Sequence, residues 1–438
     1  MMPPAMTDNL FAPDYKNQPY WWEAAPQPAL PPIAPPATCD VAIVGSGYTG
    51  LSAALELARG GRQVVVVDAE DAGWGCSSRN GGQVSTSIKP SFDDLAGRHG
   101  KDVAFGIRRE GINALAWIED FIAREKIDCD WSGVGRFHGA HNTAAFETLA
   151  RSLGRQTKGV EIEAHVVPRG EQRSEIGSDR YHGGVVFPRH ASLHPAKYHL
   201  GLLARAQAVG ATVVSRCPVL SIQREGGGFR LATSRGSLQA RDVVVATNGY
   251  TGNLTPWLRR RVIPIGSYII ATEMLDPALA DRLSPKNRVL TDTRKLVFYY
   301  RLSEDRRRVI FGGRVALKET DPRVSAPRLH AHMTSIFPEL AATRISHSWM
   351  GFVAYSFDTL PHLGRQNDGI YYCMGYCGSG VSLASYFGTR LGQQILGKPE
   401  GRTALDGHTF QTRPFYTGDP WFLAVSIAYY KIRDRLNI

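Results

Sequence analysis

The stretch CDVAIVGSGYTGLSAALELARGGRQVVVVDAE, residues 39–70, constrains the fold more than any other part of the chain. VAIV is a short, wholly apolar run, which is how a strand buried on both faces of a parallel sheet reads. GSGYTG follows at once, and Thr49, Leu51, Ala54, Leu55 and Ala58 then recur at helical spacing. Two glycines end the helix, VVVV forms a second strand, and Asp68 closes it. A lone GxGxxG is weak evidence. Strand, glycine turn, helix, strand and terminal acid in this order describe a βαβ unit that holds a dinucleotide. Within the turn Gly45, Ser46, Gly47, Tyr48, Thr49, Gly50, the first glycine makes the tight bend and the second lets backbone approach a pyrophosphate. The third lets the helix pack on the sheet. The helix N-terminus offers unpaired N–H groups and a positive dipole end to the phosphates. Asp68, followed by Ala69, is placed to accept hydrogen bonds from a ribose diol. No second GxGxxG unit occurs, so one dinucleotide has such a cradle and a nicotinamide partner has none.

The 438 residues allow two or three compact units. Residues 1–38 are rich in proline and tryptophan (YWWEAAPQPALPPIAPPA) and predict an arm laid over the body, anchored by Tyr20, Trp21 and Trp22. Residues 193–214 read as an amphipathic helix running into a strand. A small antiparallel meander follows, beginning near Val219, and returns as the buried strand VVVAT. That strand presents Thr247, Asn248 and Gly249 at its carboxyl end, where open α/β sheets bind ligands. The expected division is a cofactor domain from 39–88, 191–257 and 346–400, a second domain from 89–190 and 258–345, and a C-terminal tail over 401–438. In the second domain, KLVFYYRL and RRVIFGG are expected strands, and RLSEDRRRVIFGGR reads as a hairpin.

Composition narrows the function classes. The net charge of +11 permits a nucleic-acid or membrane partner, but Lys and Arg are scattered rather than blocked, so no nucleic-acid partner is expected. The first residues lack a basic region followed by an apolar one, and no uncharged apolar run reaches the length of a membrane span. Six cysteines in so long a chain make no disulfide framework, and a reducing cytoplasm is the expected location. WFLAVSIAYYKIRDRL near the end is apolar then basic. A helix packed on the body is expected there rather than peripheral membrane contact.

YWWEAAP, VAIVGSGYTGLSAALELA, GCSSRNGGQ, VVVATNGYT, YYRLSEDRRRVIFGGR, WMGFVAYSFDTLPHLG, GYCGSGV and DPWFLAVSIAYYKIRDR together resemble the FAD-dependent D-amino-acid-oxidase-like oxidoreductases, in particular their γ-glutamylputrescine oxidase branch. The resemblance covers nearly the whole chain. It implies an α/β fold, with a Rossmann-like FAD-binding domain of the glutathione-reductase type. Into this is inserted an α+β substrate domain whose antiparallel sheet roofs the flavin. It implies that Ser77, Ser78, Arg79, Asn80, Gly81, Gly82 and Gln83 run past the pyrophosphate, with Arg79 available to neutralise phosphate charge. It also implies that Gly378, Ser379, Gly380 and Val381, at a helix N-terminus, face the pyrimidine end of the flavin. A helix N-terminus there stabilises the negative charge of reduced flavin. Cys373 and Cys377 are then incidental neighbours of those glycines. They lack CxxC geometry and a further ligand pair, so no metal is expected. Non-covalent FAD is expected, with Cys76 a small residue beside it.

The family reaction is hydride removal from a carbon bearing an amine, giving an imine that hydrolyses. No catalytic acid or base is assigned. Glycine-oxidase-like members clamp the substrate carboxylate with arginines at positions that fall near Val353 and Gly378 here. Neither is arginine, which favours a small amine such as γ-glutamylputrescine, with oxygen as acceptor. The alternative is an oxidase or dehydrogenase of a secondary or D-amino acid, feeding a respiratory acceptor. Tyr299, Tyr300, Arg301 and Trp349 are the candidate substrate-pocket residues. Tyr299 and Arg301 share one strand face and Tyr300 the other, so only one set can face the pocket. Arg301 and Arg314 are candidate anion clamps, Arg301 for a carboxylate at the far end of a γ-glutamyl group.

Overall fold

The computed structural model describes residues 10–316 and 318–436. The βαβ unit forms as the pattern dictates: strand Thr38–Val44, helix Tyr48–Arg59, strand Val64–Val67. Parallel strands Gly236–Val245, Thr38–Val44, Val64–Val67 and Thr212–Val214 lie side by side in that order. The ten-residue strand Gly236–Val245 serves two neighbours on one edge. Its first half pairs with Gly228–Thr233 of the meander, and Val244 and Val245 pair with Tyr371–Met374. Helices Tyr48–Arg59, Pro195–Ala208 and Gly380–Ile395 cover this sheet, and Leu51, Leu55, Leu202 and Phe387 are shut from solvent in one core.

The roof is a nine-stranded sheet. Its order is Phe11–Lys16, Ile345–Tyr355, Ile263–Thr272, Val309–Gly313, Tyr299–Leu302, Val289–Asp292, Arg136–Gly139, Gly184–Phe187, His165–Val167. Trp349, Ile269, Gly312, Tyr299, Thr291 and His138 stand in one row across it, on the face toward the cofactor sheet. The opposite face carries Tyr268, Tyr300, Phe311, Leu290 and Phe137, which form a core with Leu329 and Met333 of helix Pro322–Ile336.

Two boundaries of the expected division are corrected. Ile345–Tyr355 pairs along its length with Ile263–Thr272 and therefore runs in the roof, not in the cofactor half. Helices Phe92–His99 and Lys101–Glu125 pack through Leu95, Ile107, Ala114 and Ile118 into the cofactor core rather than the second domain. An amphipathic stripe states that a helix has a buried face, not which sheet it covers. The arm adds an edge strand, Phe11–Lys16, parallel to the roof. Among the described residues no helix is long and apolar enough to cross a membrane. The last helix, Leu423–Leu436, buries Ile427, and the Asp434 carboxylate accepts from the Lys295 and Leu296 N–H groups. The same helix leaves Val425, Tyr429 and Ile432 exposed.

Candidate active site

A cleft of about 510 Å³ opens at the carboxyl ends of the parallel strands. Gly45, Gly47, Tyr48, Thr49, Asp68, Ala69, Ser77, Asn80, Val219, Thr247, Asn248, Gly378, Gly380 and Val381 all line it, so the structure brings together most of the residues singled out from sequence. A dinucleotide fits the geometry. Gly45 holds φ +106°, and a Cβ at Gly50 would lie 2.0 Å from the Gly45 carbonyl oxygen. A Cβ at Gly47 would sit 2.9 Å from Ser77 Oγ, filling the gap where backbone meets phosphate. The Asp68 carboxylate is aimed by the Ser46 N–H (2.7 Å) and Oγ–H (2.6 Å) and by the Glu70 N–H (3.0 Å). At the other end, the N-terminus of helix Gly380–Ile395 enters the cleft. Its loop is tied by the Gly375 N–H to Asn248 Oδ1 (3.0 Å) and by Thr49 Oγ1 to the Tyr376 hydroxyl (2.6 Å).

The remaining predicted residues act through their neighbours. Ser46 orients Asp68, and Gly50 packs helix on strand. Gly249 lies against Phe352, Gly81 under the Tyr299 ring, and Gly82 against the Leu193 carbonyl. Gln83 pairs with Ser192 in a short bridge, and Ser379 precedes the helix without capping it. Arg79 does not reach the cleft, contrary to its expected phosphate role. Its guanidinium is sandwiched between Trp22 (4.7 Å) and Trp74 (4.4 Å) and donates to the Trp74 and Met350 carbonyls. Three indoles grip this loop: Trp22 donates to Ser78 Oγ (2.9 Å), Trp349 to the Arg79 carbonyl (2.7 Å), and Trp21 to the Asn80 carbonyl (2.9 Å).

None of the four candidate pocket residues lines the cleft. Tyr300 is on the far face, its hydroxyl 2.7 Å from that of Tyr181. Trp349 is buried against Trp21. Arg301 is ion-paired with Glu304 and lies 5.1 Å from the Trp21 ring, so it is no free clamp. Tyr299 does face inward, but its hydroxyl meets Ser267 Oγ (2.8 Å) and its ring covers Gly81. Strand alternation gave the faces correctly, whereas the arm that caps Arg301 comes from nearly 300 positions earlier in the chain and left no local signal. Arg314 pairs with Glu319 and lines a separate cavity of about 830 Å³ behind the roof, which holds none of the cradle residues.

Residues not foreseen complete the cleft, Gly73 to Gly75, Tyr250, Ala354, Tyr376 and Ala384, and Val353 borders it as well. Cys76 also lines it, and burial pushes its thiol up to about 11. Cys373 and Cys377 are buried free thiols, raised by burial to about 12 and about 11. Cys373 Sγ accepts from the Tyr376 hydroxyl, and Cys377 Sγ–H donates to the Gly375 carbonyl. Among the described residues the lining carries Asp68 and Glu70 as its only charged side chains and no arginine or lysine. When bound, FAD supplies the hydride acceptor, and the chain positions it and excludes water.

The comparisons with known proteins agree with this geometry. The chain is 33% identical over 409 residues to the gamma-glutamylputrescine oxidoreductase of Escherichia coli (strain K12), covering 92% of this chain and 94% of that one. It is 33% identical over 423 residues to a probable oxidoreductase OrdL of Rhizobium meliloti (strain 1021), covering 95% and 97%. Among solved structures it resembles glycine oxidase from Geobacillus kaustophilus with a TM-score of 0.71 at 19% identity, covering 86% of this chain and 99% of that one; at this identity the likeness speaks to fold. The model of the DAO family, FAD dependent oxidoreductase, matches residues 40–394. The chain belongs to that family and is an FAD-dependent amine or amino-acid oxidoreductase.

Proposed function

We propose that this protein oxidises the carbon bearing the free amine of an acylated diamine of the γ-glutamylputrescine type, with oxygen as electron acceptor. The observation that carries the reading is the cation-free lining of the cleft: Val353 and Gly378 both border it where an α-carboxylate clamp would stand. A substrate carboxylate held there without a partner would be strongly disfavoured. The similarity to the gamma-glutamylputrescine oxidoreductase supports the same substrate class. In the balanced reaction the amine loses a hydride and a proton. Water adds to the imine to give an aldehyde and ammonia, and oxygen leaves as hydrogen peroxide. The lack of a second dinucleotide cradle supports oxygen over NAD(P).

The test is a panel of amines and amino acids with peroxide detection on the FAD-loaded protein. γ-Glutamylputrescine is expected to give the highest kcat/KM. Glycine, sarcosine, D-alanine, L-proline or L-pipecolate outperforming every amine would overturn the substrate reading. Turnover with a quinone but no peroxide in air would overturn the acceptor.

A further inference from the structure

The inner face of the roof carries two arginines, each two residues along from the Tyr299–Thr291–His138 row: Arg301 and Arg136. Their surroundings differ. Arg301 is neutralised by Glu304 and covered by Trp21. Arg136 lies 4.8 Å from the Phe187 ring and has no carboxylate partner among the described residues; its Nε, like that of Arg301, is buried without an acceptor. Burial alone pulls its guanidinium down to about 10. A cation so placed is poorly solvated, and a bound anion relieves that cost.

The surroundings of Arg136 are cationic and partly open. Strand Arg136–Gly139 alternates between partly open residues, Arg136 and His138, and shut ones, Phe137 and Gly139, so its inner face fronts an accessible space. His138 Nδ1 is engaged by Thr291 Oγ1 at 2.8 Å, and burial, then Arg136 and Lys89, depress its pKa to about 3. It is therefore neutral. Lys89 is exposed, with its ammonium 5.6 Å from the Tyr355 ring. Tyr355 in turn leads back to the cleft, its hydroxyl 3.8 Å from where a Cβ on Gly378 would stand. Tyr299, over the cofactor loop, is two strands and two residues from Arg136, roughly 12 Å away.

We propose that Arg136 anchors a carboxylate at the end of the substrate remote from the reacting carbon, so that the enzyme prefers a diamine acylated by a dicarboxylic amino acid to the plain diamine. The choice of acyl group rests on the oxidase reading above. The anchor itself rests on the unpaired guanidinium, and the spacing requires a long ligand.

The test separates the two. γ-Glutamylbutylamide, which keeps the carboxylate and lacks the oxidisable terminal amine, is titrated calorimetrically into the FAD-loaded protein. Arg136→Met is expected to weaken its binding by roughly tenfold to a hundredfold, the loss of one charge-assisted pair. KM for γ-glutamylputrescine rises by the same factor, kcat/KM for putrescine stays unchanged, and Arg136→Lys recovers part of the loss. Unchanged binding by a flavin-replete Arg136→Met variant would overturn the anchor. Should that variant not fold, the wild-type protein decides alone: the methyl ester of the same ligand binding as tightly as the acid, or the acid not binding at all, overturns it. Arg136-dependent binding in an enzyme that oxidises no amine would overturn the oxidase reading and leave the anchor standing.

Discussion

The Gly45–Gly50 turn and the Ser77–Gln83 loop border the same cleft and are built in opposite ways. The turn is held by its own neighbours. Backbone bend, helix packing and the aim of Asp68 all arise within residues 39–70, and side chains from outside, His199 on the Ser46 carbonyl (2.8 Å), Ser77 Oγ on the Tyr48 N–H (3.0 Å) and Tyr376 on Thr49 (2.6 Å), only add to them. The loop is held from outside. Trp21 and Trp22 arrive with the arm and Trp349 with a roof strand, each spending its indole N–H on a loop oxygen. A turn built locally tolerates no change of backbone space. A loop clamped by distant aromatics depends on burial spread over several segments, and a single loss there is graded.

The largest effect tests the turn. Gly47→Val puts side-chain atoms into the phosphate gap, and the expected product is a folded protein with no flavin absorbance. Normal flavin content would refute the assigned cradle. Trp349→Ala tests the clamp. Removing a fully buried indole and its bond to the Arg79 carbonyl is expected to cost about 3–5 kcal/mol in urea unfolding, with flavin bound more weakly but not abolished. A loss below about 1 kcal/mol would show that the arm, not the roof, holds the loop.

A smaller effect concerns the buried His190, whose Nε2 meets Thr86 Oγ1 at 3.1 Å on the segment that continues the loop. Burial first, then Arg136 and His138, depress its pKa from 6.5 to about 2. Between those values the unfolded chain binds the extra proton, so stability rises with pH in that window and is lost on acidification below 6.5. The expected loss is about 1 kcal/mol over the first unit below 6.5, read as a fall in Tm. His190→Gln should flatten that slope, and an unchanged slope would assign it to other groups. The smallest effect is expected from Cys373→Ala with Cys377→Ser. Flavin content is unchanged and kcat falls less than tenfold, about 1.4 kcal/mol, because both sulfurs are spent on buried contacts behind the helix N-terminus.

Much of the cleft was legible in the sequence because its information is local. A strand–turn–helix–strand pattern specifies backbone conformation through neighbours a few residues apart, so Gly45, Gly47 and Asp68 could be named without coordinates, Asn248 followed from the carboxyl end of a buried strand, and Gly378 from the family resemblance. Period-two alternation likewise told that Tyr299 and Arg301 share a face. Which buried cation stays unpaired was not legible. Arg301, Arg314 and Arg136 all stand on roof strands or at their ends. The first two find Glu304 and Glu319 within five residues, yet Arg301 is closed off by Trp21 from the arm and Arg314 turns to the cavity behind the roof. Arg136 has no carboxylate partner among the described residues, because the nine-stranded sheet brings Phe187 and His138 beside it instead. The charge state and accessibility of a site are sums over everything within several ångströms, and only the tertiary structure sets that list.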